Sequence, residues 1–152
     1  MTSTTTTYIT EVGTVFVPVA DQDRALAFYL DTLGFEKRVD FAYGDGSRWI
    51  ELAPPGATNT ISLVPASEGT PAGGDQTYCA FSTKDIEADH ATLRAAGIVV
   101  DVQIARTGTP RAGLVSTDAS VPDPVPAQFF FRDLDGNRFL IVQPEPTAGE
   151  AR

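Results

Sequence analysis

One cysteine, one histidine and no run of basic residues bound what this 152-residue chain can do. Cys79 has no partner for an internal disulfide, which fits a reducing compartment, and a free cysteine of this kind is expected as a small buried hydrophobe. His90 is the single imidazole, so one chain cannot build a metal site on two histidines. Eleven basic side chains stand against 20 acidic ones, a formal charge of -9, and the basic residues do not cluster. Nucleic acid and anionic membrane surfaces are therefore not expected as partners, because both are held by clustered Lys and Arg. No apolar run approaches a membrane span. The opening MTSTTTTYIT has neither the basic region nor the apolar core of a signal peptide, and a cytoplasmic location is the expectation. GxSxG, P-loop and dinucleotide fingerprints are also missing.

What is present reads as alternating strands and helices. Residues 12–19 are apolar and β-branched, as a strand requires, and Asp21 stands at the N-cap of a helix whose apolar face is Ala25, Leu26, Phe28, Tyr29 and Leu33. Gly34 supplies the left-handed stop. Strands are expected over 35–43, 48–53 and 60–64, with GDG at 44–46 as a hairpin turn and prolines closing the second and third. The stretch PASEGTPAGGDQ, 65–76, reads as a flexible linker. The pattern then restarts: TYCAFSTKDIEADHATLRAAGI repeats strand, Asp cap, helix and Gly stop. Another strand is expected over 98–105, a Gly/Pro-rich loop over 107–126, and a final hairpin of 128–132 and 138–143 across DLDGN. The short acidic spacing of Asp133, Asp135 and Asn137 is read as a turn, since it lacks the remaining ligands of a calcium loop.

The restart is an internal duplication. Thr14 and Tyr78 are 64 apart, as are Asp21 and Asp85; NTISLVP at 59–65 matches NRFLIVQP at 137–144, with Asn59 and Asn137 78 apart. The longer second loop absorbs the difference. A βαβββ unit thus occurs twice, and such a repeat fixes the architecture. The expected organisation is a tail over 1–11, a first module over 12–64, the linker over 65–76, a second module over 77–144 and a tail over 145–152.

On VPVADQDRALAFYLDTLGF, FSTKDIEADHATLRAAGI and FFFRDLDGNRFLIV, the chain resembles the vicinal oxygen chelate superfamily, which includes glyoxalase I, extradiol dioxygenases and the bleomycin resistance proteins. The resemblance implies an α+β fold in which two tandem βαβββ modules form a curved, half-open mixed sheet around a cavity. It also implies that a metal-dependent member would take ligands from four strand positions. These fall here on Thr14, Ser62, Tyr78 and Leu140, none of them the His or Glu such a site calls for. No metal and no cofactor are therefore expected.

Strand alternation adds side chains to those positions. With Thr14 go Phe16 and Pro18; with Ser62 go Thr60 and Val64; with Tyr78 go Ala80 and Ser82; and Trp49 and Glu51 face the cavity while Ile50 and Leu52 face the helices. One or two of Phe129, Phe130 and Phe131 join them. The expected ligand-binding set is Thr14, Phe16, Trp49, Glu51, Ser62, Tyr78, Phe130 and Leu140, with no catalytic residue. His90 is expected as a half-buried helix residue touching the sheet. Hydroxyls, ring faces and aliphatic walls suit a large, flat, partly polar molecule. The resemblance implies metal-free binding or sequestration of a hydrophobic or aromatic small molecule, such as an antibiotic-type natural product, by a homodimer. The alternatives are a metal-free biosynthetic enzyme, with Tyr78, Glu51 or His90 moving protons, and a metal-dependent lyase or dioxygenase.

Overall fold

The computed structural model describes residues 7–44, 46–66, 71–106 and 126–144. The expectations placed on 1–6, on the middle of the linker, on the 107–125 loop and on the tail from 145 lie outside them. β1 (Thr14–Val19) leads into α1 (Gln22–Ala27), which a π-helical turn over Phe28–Thr32 extends. The Asp21 carboxylate accepts from the Arg24 amide at 3.1 Å, and Gly34, at φ 74°, lets the chain leave in the left-handed region. β2 (Glu36–Tyr43), β3 (Ser47–Ala53) and β4 (Thr60–Pro65) follow, then β5 (Thr77–Ser82), α2 (Ile86–Ala95), β6 (Ala127–Arg132) and β7 (Arg138–Gln143). Asp85 caps α2 in the same way, accepting from the Ala88 amide at 3.0 Å.

The fold is α+β, with two open mixed sheets: four strands in the order β1-β4-β3-β2 and three in the order β5-β7-β6. The first and last strands of each half pair in parallel, and the other pairs are antiparallel. The duplication is visible in the register. Phe16 lies opposite Ser62 and Val17 opposite Leu63, just as Ala80 lies opposite Leu140 and Phe81 opposite Ile141.

Two expectations are corrected. Residues 98–105 form no continuous strand but two isolated bridges, Val100 to Phe131 and Ala105 to Gln128. The Asp101 carboxylate takes the Phe130 amide at 2.9 Å, a donor that a strand neighbour's carbonyl would otherwise accept. Backbone bonds still tie Val99, Asp101 and Ala105 to β6, and side chains of α2 add to them: the His90 ring nitrogen Nε2 lies 2.7 Å from the Asp101 carbonyl, and Arg94 donates to that of Val102 at 2.8 Å. His90 also meets the Phe129 ring edge-on, so it touches the sheet as expected. The second correction is at Tyr78. The repeat would pair it with Arg138, but Thr77 takes that place and its hydroxyl accepts from Arg138 Nε at 3.0 Å. The register shift turns Tyr78 onto the Phe139 ring, 6.1 Å between centroids.

Both sheets contribute one pleat face to a single core. Val17, Val19, Ile50, Leu52, Ile61 and Leu63 come from the first, and Phe129, Phe131, Phe139 and Ile141 from the second, with Leu26, Phe28 and Tyr29 of the first helix against them. The opposite pleat faces therefore point away from this shared core. The halves are also tied by polar bonds through the DLDGN turn. Tyr29 donates to Asp133 at 2.7 Å, Asn137 Nδ2 to the Pro18 carbonyl at 2.7 Å, and the Ala20 amide to Asp135 at 2.9 Å. The Gly73 amide reaches Asn137 Oδ1 at 2.8 Å and the Gly74 carbonyl accepts from Arg132 at 2.7 Å, so the end of the linker is pinned to the second half. Burial pushes the Asp133 carboxyl up, against the pull of its hydrogen bonds.

On the surface, Arg48 joins α1 to β2 and β3 by pairing with Asp40 at 2.8 Å and with Asp23. Its hydrogen bonds, with that of Lys37, hold the Asp40 carboxyl down at about 2. A carboxyl lowered on folding stabilises the native state above its ordinary value and loses that contribution as pH falls toward the folded value. We expect stability to drop between about pH 4 and pH 2, and Asp40→Asn to flatten that part of the acid denaturation curve, measured by urea titration at each pH.

Candidate functional site

The outward face of the four-stranded sheet collects five of the eight residues expected to bind ligand: Thr14 and Phe16 on β1, Trp49 and Glu51 on β3, and Ser62 on β4. Period-two alternation puts them there, because their sequence neighbours Val17, Ile50, Leu52, Ile61 and Leu63 are held in the core. Phe16 and Trp49 meet with centroids 5.7 Å apart and planes at 89°. Beside them runs a short polar line. Glu51 accepts from Trp49 Nε1 at 2.6 Å and from the Thr60 hydroxyl at 2.9 Å, while the Thr14 and Ser62 hydroxyls bond to each other at 2.7 Å. Ser62 is fully buried beneath this layer, whereas Phe16 keeps 56% of its surface exposed.

Phe41, on β2, lies directly opposite Trp49 and is 54% exposed, so it extends the aromatic face. The sequence reading did not single it out. The signal was alternation within β2, interrupted by the register shift between Lys37 and Val39.

The other three expected residues are elsewhere. Phe130 and Leu140 are paired on the outward face of the three-stranded sheet. Arg138 stands over the Phe130 ring, 4.6 Å from its centroid, beside a cavity of about 190 Å³ that Val99, Asp101 and Arg132 also line. Leu140 is 1% exposed yet lies outside the shared core. Tyr78, turned by its register shift, packs on Phe139 and is not part of the aromatic face.

A larger cavity, about 420 Å³, opens between the halves against Val12, Val15, Pro54, Ile61, Cys79 and Phe81. A second, of about 220 Å³, shares Pro54, Phe81 and Ser82 with it and runs toward Phe35 and Leu93. Burial pushes the Cys79 thiol up to about 11. The thiolate is the reactive form, so iodoacetamide labelling of the native protein near neutral pH should run about 100-fold slower than in denaturant. Equal rates, followed by mass spectrometry, would place Cys79 in an open, polar setting.

The two halves, βαβββ in the first and βαββ in the second, repeat the parallel pairing of their first and last strands. Residues 11–141 match the model of the Glyoxalase/Bleomycin resistance protein/Dioxygenase superfamily, and the chain belongs to that superfamily. Among solved structures it is similar to TnmS3, an antibiotic binding protein from Streptomyces sp. CB03234. The identity is 31% over 92% of this chain and 100% of that one, with a TM-score of 0.70. It is also similar to a member of the same superfamily from Sphaerobacter thermophilus DSM 20745, at 28% identity over 90% of this chain and 98% of that one, TM-score 0.73. YetH of Bacillus subtilis (strain 168) is 28% identical over 89% of this chain and 99% of its own.

The residues at the four positions that would hold a metal do not fit one. Thr14 and Ser62 bond to each other, the Tyr78 ring lies on the core side, and Leu140 is a hydrocarbon on the other sheet. Neutral hydroxyls and a hydrocarbon are not a donor set for a divalent transition ion. Among the described residues, no three His, Cys, Asp or Glu side chains gather as an alternative site.

Proposed function

We propose that this protein binds a flat, hydrophobic or aromatic small molecule, of the antibiotic type, and protects its host by holding that molecule rather than by converting it. The carrying observation is the exposed aromatic face of Phe16, Trp49 and Phe41, backed by the polar line of Glu51, Thr60, Ser62 and Thr14. A contiguous exposed apolar patch with a few fixed polar groups is what a ligand-binding surface requires. The similarity to the antibiotic binding protein TnmS3 supports the same reading. Binding proceeds without metal; among the described residues no three His, Cys, Asp or Glu side chains gather on this face. The protein acts in the cytoplasm; among the described residues no helix is long and apolar enough to cross a membrane.

A homodimer completes the site. Among the described residues the Trp49 face and the Phe130 face both point away from the shared core, and a second copy supplies the wall opposite each. Two copies related by a two-fold axis can set the first face of each against the second face of the other.

Trp49 is the only tryptophan, so its fluorescence reports on this face alone. Titration with a panel of flat polycyclic aromatics, led by anthraquinone derivatives, should quench it with a Kd of about 10 µM or tighter for at least one member. The bound molecule should be recovered with its mass unchanged. No quenching by any member, or turnover of the ligand, would overturn the proposal.

A further inference from the structure

The aromatic face carries a feature that a purely stacking site does not need. Phe16 and Trp49 are perpendicular, at 89°, and form two walls of a right-angled corner. At the indole edge lies the Glu51 carboxylate, fixed by Trp49 Nε1 at 2.6 Å and by Thr60 at 2.9 Å. Those two donors are neutral and leave each carboxylate oxygen with a further lone pair. Among the described residues, Glu51 makes no ion pair, whereas Asp40 on the neighbouring strand is matched by Arg48 and Lys37. A carboxylate held in place but not neutralised, bonded to one ring of an aromatic pair, is an arrangement that can receive a cation. The rings attract it through their quadrupoles and the carboxylate through its charge. The chain's net charge of -9 steers cations toward it as well.

We propose that the ligand of this face is a cationic aromatic: a flat ring system bearing a protonated or quaternary amine that sits in the Phe16–Trp49 corner over Glu51. This rests on the binding function proposed above and adds the charge of the ligand to it. The flat ring lies along Trp49 toward Phe41, and the ammonium group replaces water at the open lone pairs of Glu51. A neutral aromatic of the same shape makes the stacking contacts but leaves the carboxylate without a counter-charge.

The test compares two probes with the same ring, an aminomethyl-anthraquinone, cationic at neutral pH, and hydroxymethyl-anthraquinone, its neutral counterpart. Affinities are measured by calorimetry at low and moderate salt. The native protein should bind the cation about tenfold more tightly than the neutral probe. Glu51→Gln should bring that ratio to about two. Phe16→Leu, which keeps an apolar wall but removes the ring, should lower it as well. Asp31→Asn removes one negative charge from an exposed position away from the face and should leave the ratio as it is, which separates the local carboxylate from the net charge. Equal affinity of the native protein for both probes, or a ratio untouched by Glu51→Gln, overturns the cation proposal while leaving aromatic binding intact. Failure of both probes to bind overturns the two together.

Discussion

Replacing Asn137 with alanine is expected to destabilise the protein by about 3–4 kcal/mol, a large loss for a change in a turn. Asn137 is fully buried, and its amide is used at both ends: Nδ2 donates to the Pro18 carbonyl at 2.7 Å and to Asp133 at 3.1 Å, while Oδ1 accepts from the Gly73 amide at 2.8 Å. Alanine leaves the Pro18 carbonyl and the Gly73 amide without these partners in a site too enclosed for easy hydration, and each such group costs roughly 1–3 kcal/mol. Asp133 also loses a donor. Because the bonds join the first half, the linker and the second half, the loss should appear in the global transition, with an unchanged urea m-value and a Tm lower by roughly 10 °C. Tyr29→Phe removes only the 2.7 Å bond to Asp133 and should cost less, about 1–2 kcal/mol. A variant Asn137→Ala within about 1 kcal/mol of the native protein would show that these bonds do not hold the halves together.

The second large effect is on binding. Trp49→Ala should weaken a flat aromatic ligand about 100-fold, close to 3 kcal/mol, as measured by calorimetry because the fluorophore is gone. The indole supplies the widest ring of the face, walls the corner with Phe16, and orients Glu51 through its N–H. Trp49→Phe keeps a ring but loses the bond to Glu51, and should fall between the two. Trp49 is only partly buried, so its truncation should lower stability far less than Asn137→Ala. If affinity changes less than threefold in Trp49→Ala, the ligand does not use this face.

The parts of the fold written in local chemistry were legible in the sequence. Asp21 and Asp85 cap helices because a carboxylate at that position meets unpaired amides, and Gly34 and Gly97, at φ 74° and 78°, end the helical segments. Alternation in β1, β3 and β4 placed Thr14, Phe16, Trp49, Glu51 and Ser62 on one face, because burial of Val17, Ile50 and Leu63 leaves the pleat no other choice. Tyr78 was not legible. A one-residue slip at Thr77 reverses the side a residue faces, and nothing local in TYCAFS marks it. The same applies to 98–105, whose composition suits a strand but whose bonds to β6 run partly through the Asp101 side chain. The separation of Phe130 from Trp49 is a tertiary fact, set by both sheets sharing one core. The tie from Asn137 to Pro18 spans 119 residues, beyond any periodicity.

The central claim is that a ligand sits on the outward face of the first sheet, against Trp49. With one tryptophan, a nitrogen-15 spectrum holds a single indole N–H signal, that of the proton bonded to Glu51. Titration with an aromatic probe should move this signal with the dissociation constant found by calorimetry. An unmoved indole signal, with shifts confined to Cys79, Phe81 and Ile61 around the cavity between the halves, would contradict the account and place the ligand there instead.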